Sequence, residues 1–186
     1  MLDWAVRIVG GTHGGRVLRA PPGRDTRPTS EKVREALFNI LGSVEGDHIL
    51  DLFAGSGGLG IEALSRGAAH VTFVDGGKAA LTAVRANLKE LGLDGQARVI
   101  AGDAVTNAAR LVPAQPWRIV FIDPPYASEL AARAVLALPV AHLAPGAVIV
   151  IEHDRRNTPP DTLGSLLRTD QRRYGDTMIS FFEVAP

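Results

Sequence analysis

One short segment, "FIDPPY" at residues 121–126, has residue types that suit chemistry on an aromatic amine. An apolar, strand-like run ends in the carboxylate of Asp123, and Pro124, Pro125 and Tyr126 follow it. The prolines fix φ, and Pro124 restricts Asp123 to extended backbone. The Asp123 carboxylate and the Pro124 carbonyl are hydrogen-bond acceptors, and the Tyr126 ring can stack on a base. The segment therefore predicts a rigid platform that holds a planar base by its exocyclic amine.

A second segment, "DLFAGSGGLGIEAL" at residues 51–64, indicates a ligand-binding turn between a strand and a helix. Gly55, Gly57 and Gly60 have the spacing of a dinucleotide-binding fingerprint, which alone is weak evidence. Asp51, however, lies four residues before the first of these glycines, where a dinucleotide site approaches a pyrophosphate. A carboxylate there favours a cationic ligand. S-adenosylmethionine (SAM) carries a sulfonium and an ammonium and has no phosphate.

Three consecutive predicted strands end in or near an acid, which is the pattern expected for a SAM site. We expect Asp51 to receive the ammonium, directly or through water. Asp75 ends the next strand about 20 residues beyond the glycine turn, where an acid binds ribose hydroxyls. Asp103 follows the third strand and is expected to accept from the adenine amine. For any one of them, an acid that only terminates a strand at the surface is the alternative.

The two segments together suggest how a methyl group would be transferred. An exocyclic base amine is a weak nucleophile because its lone pair is delocalised into the ring. Two acceptors at Asp123 and Pro124 would favour a pyramidal nitrogen whose lone pair points at the methyl group, so the rate gain comes from orientation and electrostatics. Stacking contributes roughly 1–3 kcal/mol per base and helps to offset base flipping. Asp-Pro-Pro can also form only a turn, but its position next to the glycine-turn strand favours catalysis.

Composition limits the class of protein. The chain has 186 residues, of which 46% are hydrophobic and 22% charged, as expected for one soluble globular domain. It has no apolar run near the roughly 20 residues of a membrane span and no signal-peptide pattern, so we expect a cytoplasmic protein. It has no cysteine, and its five histidines are scattered, so we expect no metal site.

Net charge is zero, which argues against a protein that coats nucleic acid over its whole surface. Residues 1–40 are locally basic, and a second basic cluster lies near the C-terminus at Arg168, Arg172 and Arg173. Charge alone slightly favours ordinary solvated faces for both clusters.

The elements that position these residues alternate between strand and helix. Residues 1–28 predict a β-hairpin and a basic arm, with "VRIVGG" and "GRVLRA" around a glycine-containing turn. A helix follows, with Ser30 as N-cap, Glu31 in its first turn and Gly42 at its end. The runs "HILDLF", "HVTFVD", "ARVIAGD", "WRIVFID" and "AVIVIEHD" predict buried parallel strands. The last runs, "LLRTDQRRYG" and "TMISFFEVA", must pair antiparallel because only a short turn separates them.

These segments, with "RIVGGTHGGRVL" and "RPTSEKVREALFNIL", resemble the RsmD family of bacterial 16S ribosomal RNA guanine-N2 methyltransferases over nearly the whole chain. The resemblance implies an α/β fold with a Rossmann-like seven-stranded sheet, mostly parallel with an antiparallel last strand, and a small N-terminal β-hairpin. It divides the chain into residues 1–28, contacting RNA, and residues 29–186, the methyltransferase domain. It implies SAM-dependent transfer to the N2 amine of guanine 966 in the small ribosomal subunit.

The resemblance also assigns residues by position. The catalytic motif is Asp123, Pro124, Pro125 and Tyr126. The SAM contacts are Asp51, Phe53, Ala54, Gly55, Ser56, Gly57, Gly60, Asp75, Asp103 and Ala104. The RNA contacts are Arg7, Arg16, Arg27 and Arg34. The family often has Phe where this chain has Tyr126, and "VDGGK" departs from the family pattern after Asp75; the turn Tyr174–Asp176 is family-like without a chemical role.

Three other functions remain as alternatives. An adenine-N6 methyltransferase would use the same Asp-Pro-Pro-Tyr chemistry but usually carries a larger target-recognition region. A nicotinamide-dependent oxidoreductase would leave that motif unexplained. A non-catalytic RNA-binding or assembly factor would bind neither cofactor. We expect a monomer that acts on the small subunit or an assembly intermediate.

Overall fold

The computed structural model describes residues 6–21, 29–125 and 128–185. Within these ranges the chain forms ten strands and five α-helices in an α/β arrangement. The elements in chain order are β1 (Val6–Arg7), β2 (Val17–Leu18), α1 (Glu31–Leu41), β3 (His48–Leu52), α2 (Gly58–Ser65), β4 (His70–Asp75), α3 (Lys78–Leu91), β5 (Ala97–Ala101), α4 (Ala104–Arg110), β6 (Trp117–Ile122), α5 (Ser128–Ala137), β7 (Leu143–Asp154), β8 (Thr162–Leu163), β9 (Leu166–Tyr174) and β10 (Thr177–Val184).

The central sheet has the strand order β5-β4-β3-β6-β7-β10-β9-β8. The first five strands in this order are parallel, and β10 runs antiparallel to both β7 and β9. The predicted mostly parallel sheet and the antiparallel pairing of the last two long strands are confirmed. The described strand order reverses between β3 and β6, and ligands of open α/β sheets bind beyond the carboxyl ends of the strands at such a switch point.

The predicted strand count was wrong, since the described part of the chain forms an eight-stranded sheet. The extra strand is β8, which pairs with the start of β9 through Thr162↔Leu167 and Leu163↔Leu166. Gly164 makes the tight turn between them at φ 60°. A strand of two residues is too short to show hydrophobic periodicity, so the sequence pattern does not reveal it.

Helix α1 forms where its sequence predicts. The hydroxyl of Ser30 accepts a hydrogen bond from the main-chain N–H of Val33, and Glu31 lies in the first turn. Gly42 ends the helix at φ 74°, and its N–H donates to Phe38. The apolar side chains of Val33, Leu37 and Phe38 are buried against the sheet.

Two apolar layers cover the two faces of the sheet. One contains residues of the hairpin, α1, α2 and α3 packed on Phe73, Phe121 and Val150, and the other packs α4 and α5 on Val120 and Ile149. Side chains alternate along a strand, so Asp51, two residues beyond Ile49, projects from the first face. Asp75, Asp123 and Glu152 follow Phe73, Phe121 and Val150 by the same spacing and project from the same face. The acids near the strand ends therefore share one face.

The N-terminal hairpin packs into this first layer. Val6, Ile8 and Leu18 belong to the same apolar cluster as the strands. Gly11, at φ 76°, lies so close to α2 that an added Cβ would sit 1.8 Å from the carbonyl oxygen of Ser65. The described part of the hairpin is thus packed closely against α2 and the first face of the sheet.

None of the helices in residues 6–21, 29–125 and 128–185 combines the length and the apolarity that crossing a membrane would require.

Candidate active site

Asp51 lies at the centre of the switch point, near the end of β3. Its side chain is almost fully buried, with 2% of its surface exposed, and its Oδ2 accepts the N–H of Gly60 at 3.0 Å. Burial raises the pKa of the Asp51 carboxyl from 3.8 to about 7, the Gly60 hydrogen bond opposes this rise, and the nearby Asp75 charge adds to it. The site therefore holds a carboxylate that is costly to ionise and that a cation would stabilise.

The glycine turn after β3 is held in place by Asp75. The two Asp75 oxygens accept main-chain N–H groups on either side, from Gly55 at 2.9 Å and from Gly77 at 2.7 Å. Gly55 and Gly57 have φ values of 55° and 82°, which glycine adopts without strain. Asp75 thus braces the turn, and each of its oxygens keeps a lone pair for a further donor.

Phe53 begins the turn and is the one non-glycine residue in the described ranges with positive φ, at 63°. For a bulky residue this conformation is a genuine outlier, and such strain clusters at ligand sites. Neighbouring Ala54 is buried and donates its N–H to Val74 at 3.0 Å, while the main-chain oxygen of Ser56 accepts from Asn87. The strained turn is therefore anchored to the next strand and to α3.

Gly60 serves close packing. A Cβ at this position would lie 2.3 Å from the ring of buried Phe73, so α2 can approach the sheet only with glycine here. The same approach brings the Gly60 N–H to Asp51. Gly60, the third glycine of the sequence motif, therefore sets the distance of α2 from the sheet and from Asp51.

Asp103 and Ala104 start α4 beyond β5. The exposed Asp103 carboxylate accepts the main-chain N–H and the hydroxyl of Thr106 through Oδ1, both at 2.7 Å, which lowers the pKa of Asp103. No described residue donates to its Oδ2. The Ala104 side chain is buried in the apolar layer under α4, so only its main chain is available to a ligand.

Asp123 follows β6 on the other side of the switch point. The pairings Asp51↔Phe121 and Leu52↔Ile122 place it beside the start of the glycine turn. Burial raises the pKa of the Asp123 carboxyl well above its ordinary range, and the charges of Glu152 and Asp51 raise it further. Pro124 is partly buried and Pro125 exposed, whereas Tyr126 lies outside the described residues. The predicted catalytic acid and the predicted SAM acid therefore meet at one crevice.

Sequence reasoning missed Glu152, a third acid at this crevice. It lies on β7, where Ile122↔Ile151 is a pair, so Glu152 stands next to Asp123. Its Oε2 accepts the hydroxyl of Thr29 at 2.6 Å. Burial raises the pKa of Glu152, while the Thr29 hydrogen bond and the charge of Arg34 lower it. Its position inside an apolar strand gives no local signal, although the spacing of two residues from buried Val150 puts it on the acid-bearing face.

The predicted RNA contacts divide into exposed and buried arginines. Arg7 and Arg16 are exposed on the hairpin, and Arg7 donates to the carbonyl of Gly15 at 2.7 Å. Arg27 lies outside the described residues. Arg34 is 2% exposed, and its guanidinium donates to the carbonyls of Thr29 and Arg7. Burial lowers the pKa of Arg34. Arg34 therefore ties the hairpin to α1, and the structure keeps it away from the surface that RNA would contact.

Two further buried polar residues hold the hairpin against the site. Glu62 on α2 is fully buried and accepts the N–H groups of Val9 and Gly10 at 2.7 and 2.8 Å. Asn87 on α3 accepts the N–H of Arg19 and donates to Ser56 in the glycine turn. Both act over long sequence separations, which is why the sequence pattern did not identify them.

The arrangement combines the buried Asp51, which a cation would stabilise, a glycine turn held by Asp75, and Asp123 followed by two prolines. In the described ranges, no group of three or more histidine, aspartate or glutamate side chains is placed to hold a metal ion.

Comparison with known proteins identifies the family of the chain. The model of the family described as "Conserved hypothetical protein 95" matches residues 6–183. The chain belongs to this family. It is the RsmD family that the sequence motifs resemble, and the resemblance is confirmed.

Named relatives of this family cover most of the chain. The "Putative rRNA methyltransferase YlbH" of Bacillus subtilis is 42% identical over 182 residues, which are 96% of this chain and 98% of the relative. The "Ribosomal RNA small subunit methyltransferase D" of Escherichia coli is 40% identical over 157 residues, covering 83% of this chain and 78% of the relative. A solved structure, "Putative methyltransferase yhhF from Escherichia coli", superposes with a TM-score of 0.83 at 32% identity and covers 97% of this chain and 98% of that chain.

Proposed function

We propose that the protein transfers a methyl group from SAM to the exocyclic N2 amine of a guanine in 16S rRNA, at position 966 of the small ribosomal subunit. The observation that carries this proposal is the switch point between β3 and β6, where Asp123 and its two prolines follow the strand paired with that of Asp51 and the glycine turn. The names of the RsmD-family relatives support ribosomal RNA as the substrate.

The residues of the crevice fit SAM, which supplies an electrophilic methyl group on a sulfonium. The Asp51 carboxyl is buried with a pKa of about 7, so an ammonium beside it would favour the ionised form. Asp75 fixes the turn with both oxygens and has lone pairs left for ribose hydroxyls. Asp103 uses Oδ1 for Thr106, and its Oδ2 faces no donor among the described residues, which suits the adenine amine.

The catalytic motif acts on the base amine. The Asp123 carboxylate and the Pro124 carbonyl accept its two N–H groups and orient its lone pair, and Tyr126 stacks on the ring. The raised pKa of Asp123 also makes its carboxylate a suitable acceptor for the proton that the amine loses after it gains the methyl group. This is general base action late in the reaction.

RNA binding involves the exposed arginines of the hairpin, Arg7 and Arg16, together with Arg27. A chain with zero net charge has little non-specific attraction for RNA. We therefore propose a cytoplasmic monomer that acts on the small subunit or an assembly intermediate. Much slower methylation of protein-free 16S RNA than of ribosomal particles would support a particle as the substrate, and equal rates would contradict it.

The test of the proposed function is transfer of radiolabelled methyl groups from SAM to undermethylated 30S subunits, followed by digestion and identification of the modified nucleoside. N2-methylguanosine at one site is the expected product. N6-methyladenosine would keep the chemistry and overturn the substrate, and absence of labelled nucleoside would overturn methylation of this particle.

An Asp123→Ala variant tests the mechanism. We expect loss of methyl transfer by about 100-fold or more, because a positioning acceptor and a base are removed together. SAM affinity, measured by calorimetry, should stay within about threefold, since Asp123 contacts the base. Asp94→Ala, at an exposed aspartate before β5, is the matched control and should keep full activity. An active Asp123→Ala enzyme would refute the mechanism.

A further inference from the structure

Glu152 lies where a charged carboxylate is energetically unfavourable. Its neighbour on one side is Asp123, since β6 and β7 pair through Ile122↔Ile151 and neighbouring strands lie about 4.8 Å apart. On the other side it pairs with Ile179 of β10, a buried apolar residue. Two acids next to each other beside an apolar wall repel, and burial disfavours their charged forms. A charged Glu152 therefore needs a stabilising partner, which is either another group of the protein or a ligand.

Its hydrogen bond to Thr29 does not require a charge. Oε2 accepts the Thr29 hydroxyl at 2.6 Å, and the carbonyl oxygen of glutamine would accept it equally well. Glutamine would also avoid the repulsion with Asp123.

The buried Arg34 favours the ionised form of Glu152 through its charge, but within the described residues it makes no ion pair or hydrogen bond with that carboxylate. Among the acids that act on Arg34, Glu62 has the largest effect on its pKa, followed by Glu31, and Glu152 comes third. The guanidinium itself donates to the carbonyls of Thr29 and Arg7. The guanidinium therefore stabilises the Glu152 charge from a distance and does not fix the position of its oxygens.

Glu152 is instead well placed for the base. It projects from the same face of the sheet as Asp123, and the Thr29 hydrogen bond fixes Oε2, while no residue in the described ranges donates to Oε1. Guanine presents two kinds of donor side by side, the ring N1–H and the N2 amine. Adenine presents an amine beside N1, which is an acceptor that a carboxylate repels.

We propose that Glu152 is the residue that makes the site selective for guanine, by accepting the ring N1–H while Asp123 accepts from the neighbouring N2 amine. This inference rests on the proposed function and adds a residue that chooses the base. Thr29 is a positioning residue, because its hydroxyl orients the Glu152 carboxylate. Arg34 connects this pair to the hairpin through the Thr29 and Arg7 carbonyls.

The experiment compares two bases at the target position. Reconstituted 30S particles carry either guanosine or 2-aminopurine, which keeps the 2-amino group but has an acceptor at N1. For the wild-type protein we expect kcat/KM for guanosine to exceed that for 2-aminopurine by about 10- to 100-fold, the discrimination of one good base contact. Glu152→Gln, whose amide both accepts and donates, should reduce this ratio about tenfold or more. Thr29→Val should reduce it in the same direction by a smaller factor.

The controls separate selectivity from folding. Glu183→Gln removes a charge from another glutamate that accepts a threonine hydroxyl, that of Thr169 at 3.2 Å, at the opposite end of the β7–β10 pair. It should leave the ratio unchanged. Calorimetric SAM affinity of Glu152→Gln should match that of the wild type, which shows that the fold and the cofactor site are intact.

Two outcomes overturn the inference. Equal wild-type rates on both bases would show that N1–H is not read. Equal loss on both bases in Glu152→Gln would show a structural role for the carboxylate. Failure of the wild type to methylate guanosine would instead refute the proposed function, so the two failures are distinguishable.

Discussion

Asp51 is a buried acid whose ionisation opposes folding. Its carboxyl is buried and its pKa is raised from 3.8 to about 7. An acid whose pKa is raised by folding favours the folded state most when it is protonated, below about pH 4, and this advantage is lost as the pH rises towards 7 because the unfolded chain ionises first. Burial of the ionised Asp51 carboxylate therefore lowers the stability of the fold at neutral pH.

An Asp51→Asn variant should be more stable than the wild type at pH 8. Asparagine can still accept the Gly60 N–H through its carbonyl oxygen but carries no charge to bury. The gain in free energy of unfolding should grow from pH 4 to pH 7 and reach up to about 4 kcal/mol, at about 1.4 kcal/mol per pH unit. Urea unfolding at several pH values measures it. Asp94→Asn, at an exposed position, should show no such growth, and a pH-independent difference would contradict the burial argument.

The same pKa predicts how SAM affinity depends on pH. A bound ammonium favours the ionised carboxyl, so binding below pH 7 must first deprotonate Asp51. The dissociation constant should be lowest near pH 7 to 7.5, rise about tenfold per pH unit below 6.5, and rise again as the α-ammonium of SAM loses its proton near pH 8. Asp51→Asn should bind weakly with little dependence on pH below about 7. Calorimetry with SAM from pH 5 to 8 tests this, and a flat wild-type profile would contradict it.

Among single residues, the acids at strand ends were predictable from the sequence, whereas the acids within a strand or a helix were not. Asp51, Asp75 and Asp123 are marked by the apolar runs that precede them. Glu152 and Glu62 lie inside a strand and a helix, and Glu152 meets Thr29 across 123 residues of chain. Such partnerships arise only from the fold, so no local pattern indicates them.

At the scale of elements, the strands and α1 were predictable because each has its own signal. Buried runs mark β3, β4 and β6, and a hydroxyl cap and a glycine mark the ends of α1. The order of the strands depends on contacts between distant segments, and β8 is too short to carry a pattern. The distance between α2 and the sheet is likewise a property of packing.

Gly60→Ala tests how α2 packs on the sheet. The new methyl group would meet the Phe73 ring at 2.3 Å, so α2 or the ring must move. We expect a loss of about 1–3 kcal/mol in the free energy of unfolding, despite the better helix propensity of alanine. Gly95→Ala is the control, because an added Cβ there meets nothing within 4 Å. A second change, Phe73→Leu, should restore part of the loss; equal stability of Gly60→Ala and wild type would refute the packing argument.

At the scale of the whole molecule, the hairpin is fixed to each of the helices α1, α2 and α3 by one buried polar side chain. Arg34 on α1 donates to the Arg7 carbonyl, Glu62 on α2 accepts from Val9 and Gly10, and Asn87 on α3 pairs with Arg19. Asn87 also holds the glycine turn, and Arg34 reaches Glu152 through Thr29. The hairpin, which we propose to contact RNA, is thereby held in one position relative to the carboxyl ends of β3 and β6.

Replacing Glu62 tests whether its hydrogen bonds stabilise only the attachment of the hairpin to α2 or the whole fold. Glu62→Gln places an amide group against the N–H donors of Val9, Gly10 and Arg66, so at least one buried donor loses its acceptor. We expect a loss of about 2–4 kcal/mol in the free energy of unfolding. Hydrogen exchange should show lost protection first at the Val9 and Gly10 amides. Glu35→Gln, on the exposed side of α1, should change neither quantity. Because the Asn87 and Arg34 hydrogen bonds remain, the exchange of the glycine turn should change less than that of the hairpin. Uniform loss of protection over the sheet would show instead that Glu62 supports the whole fold.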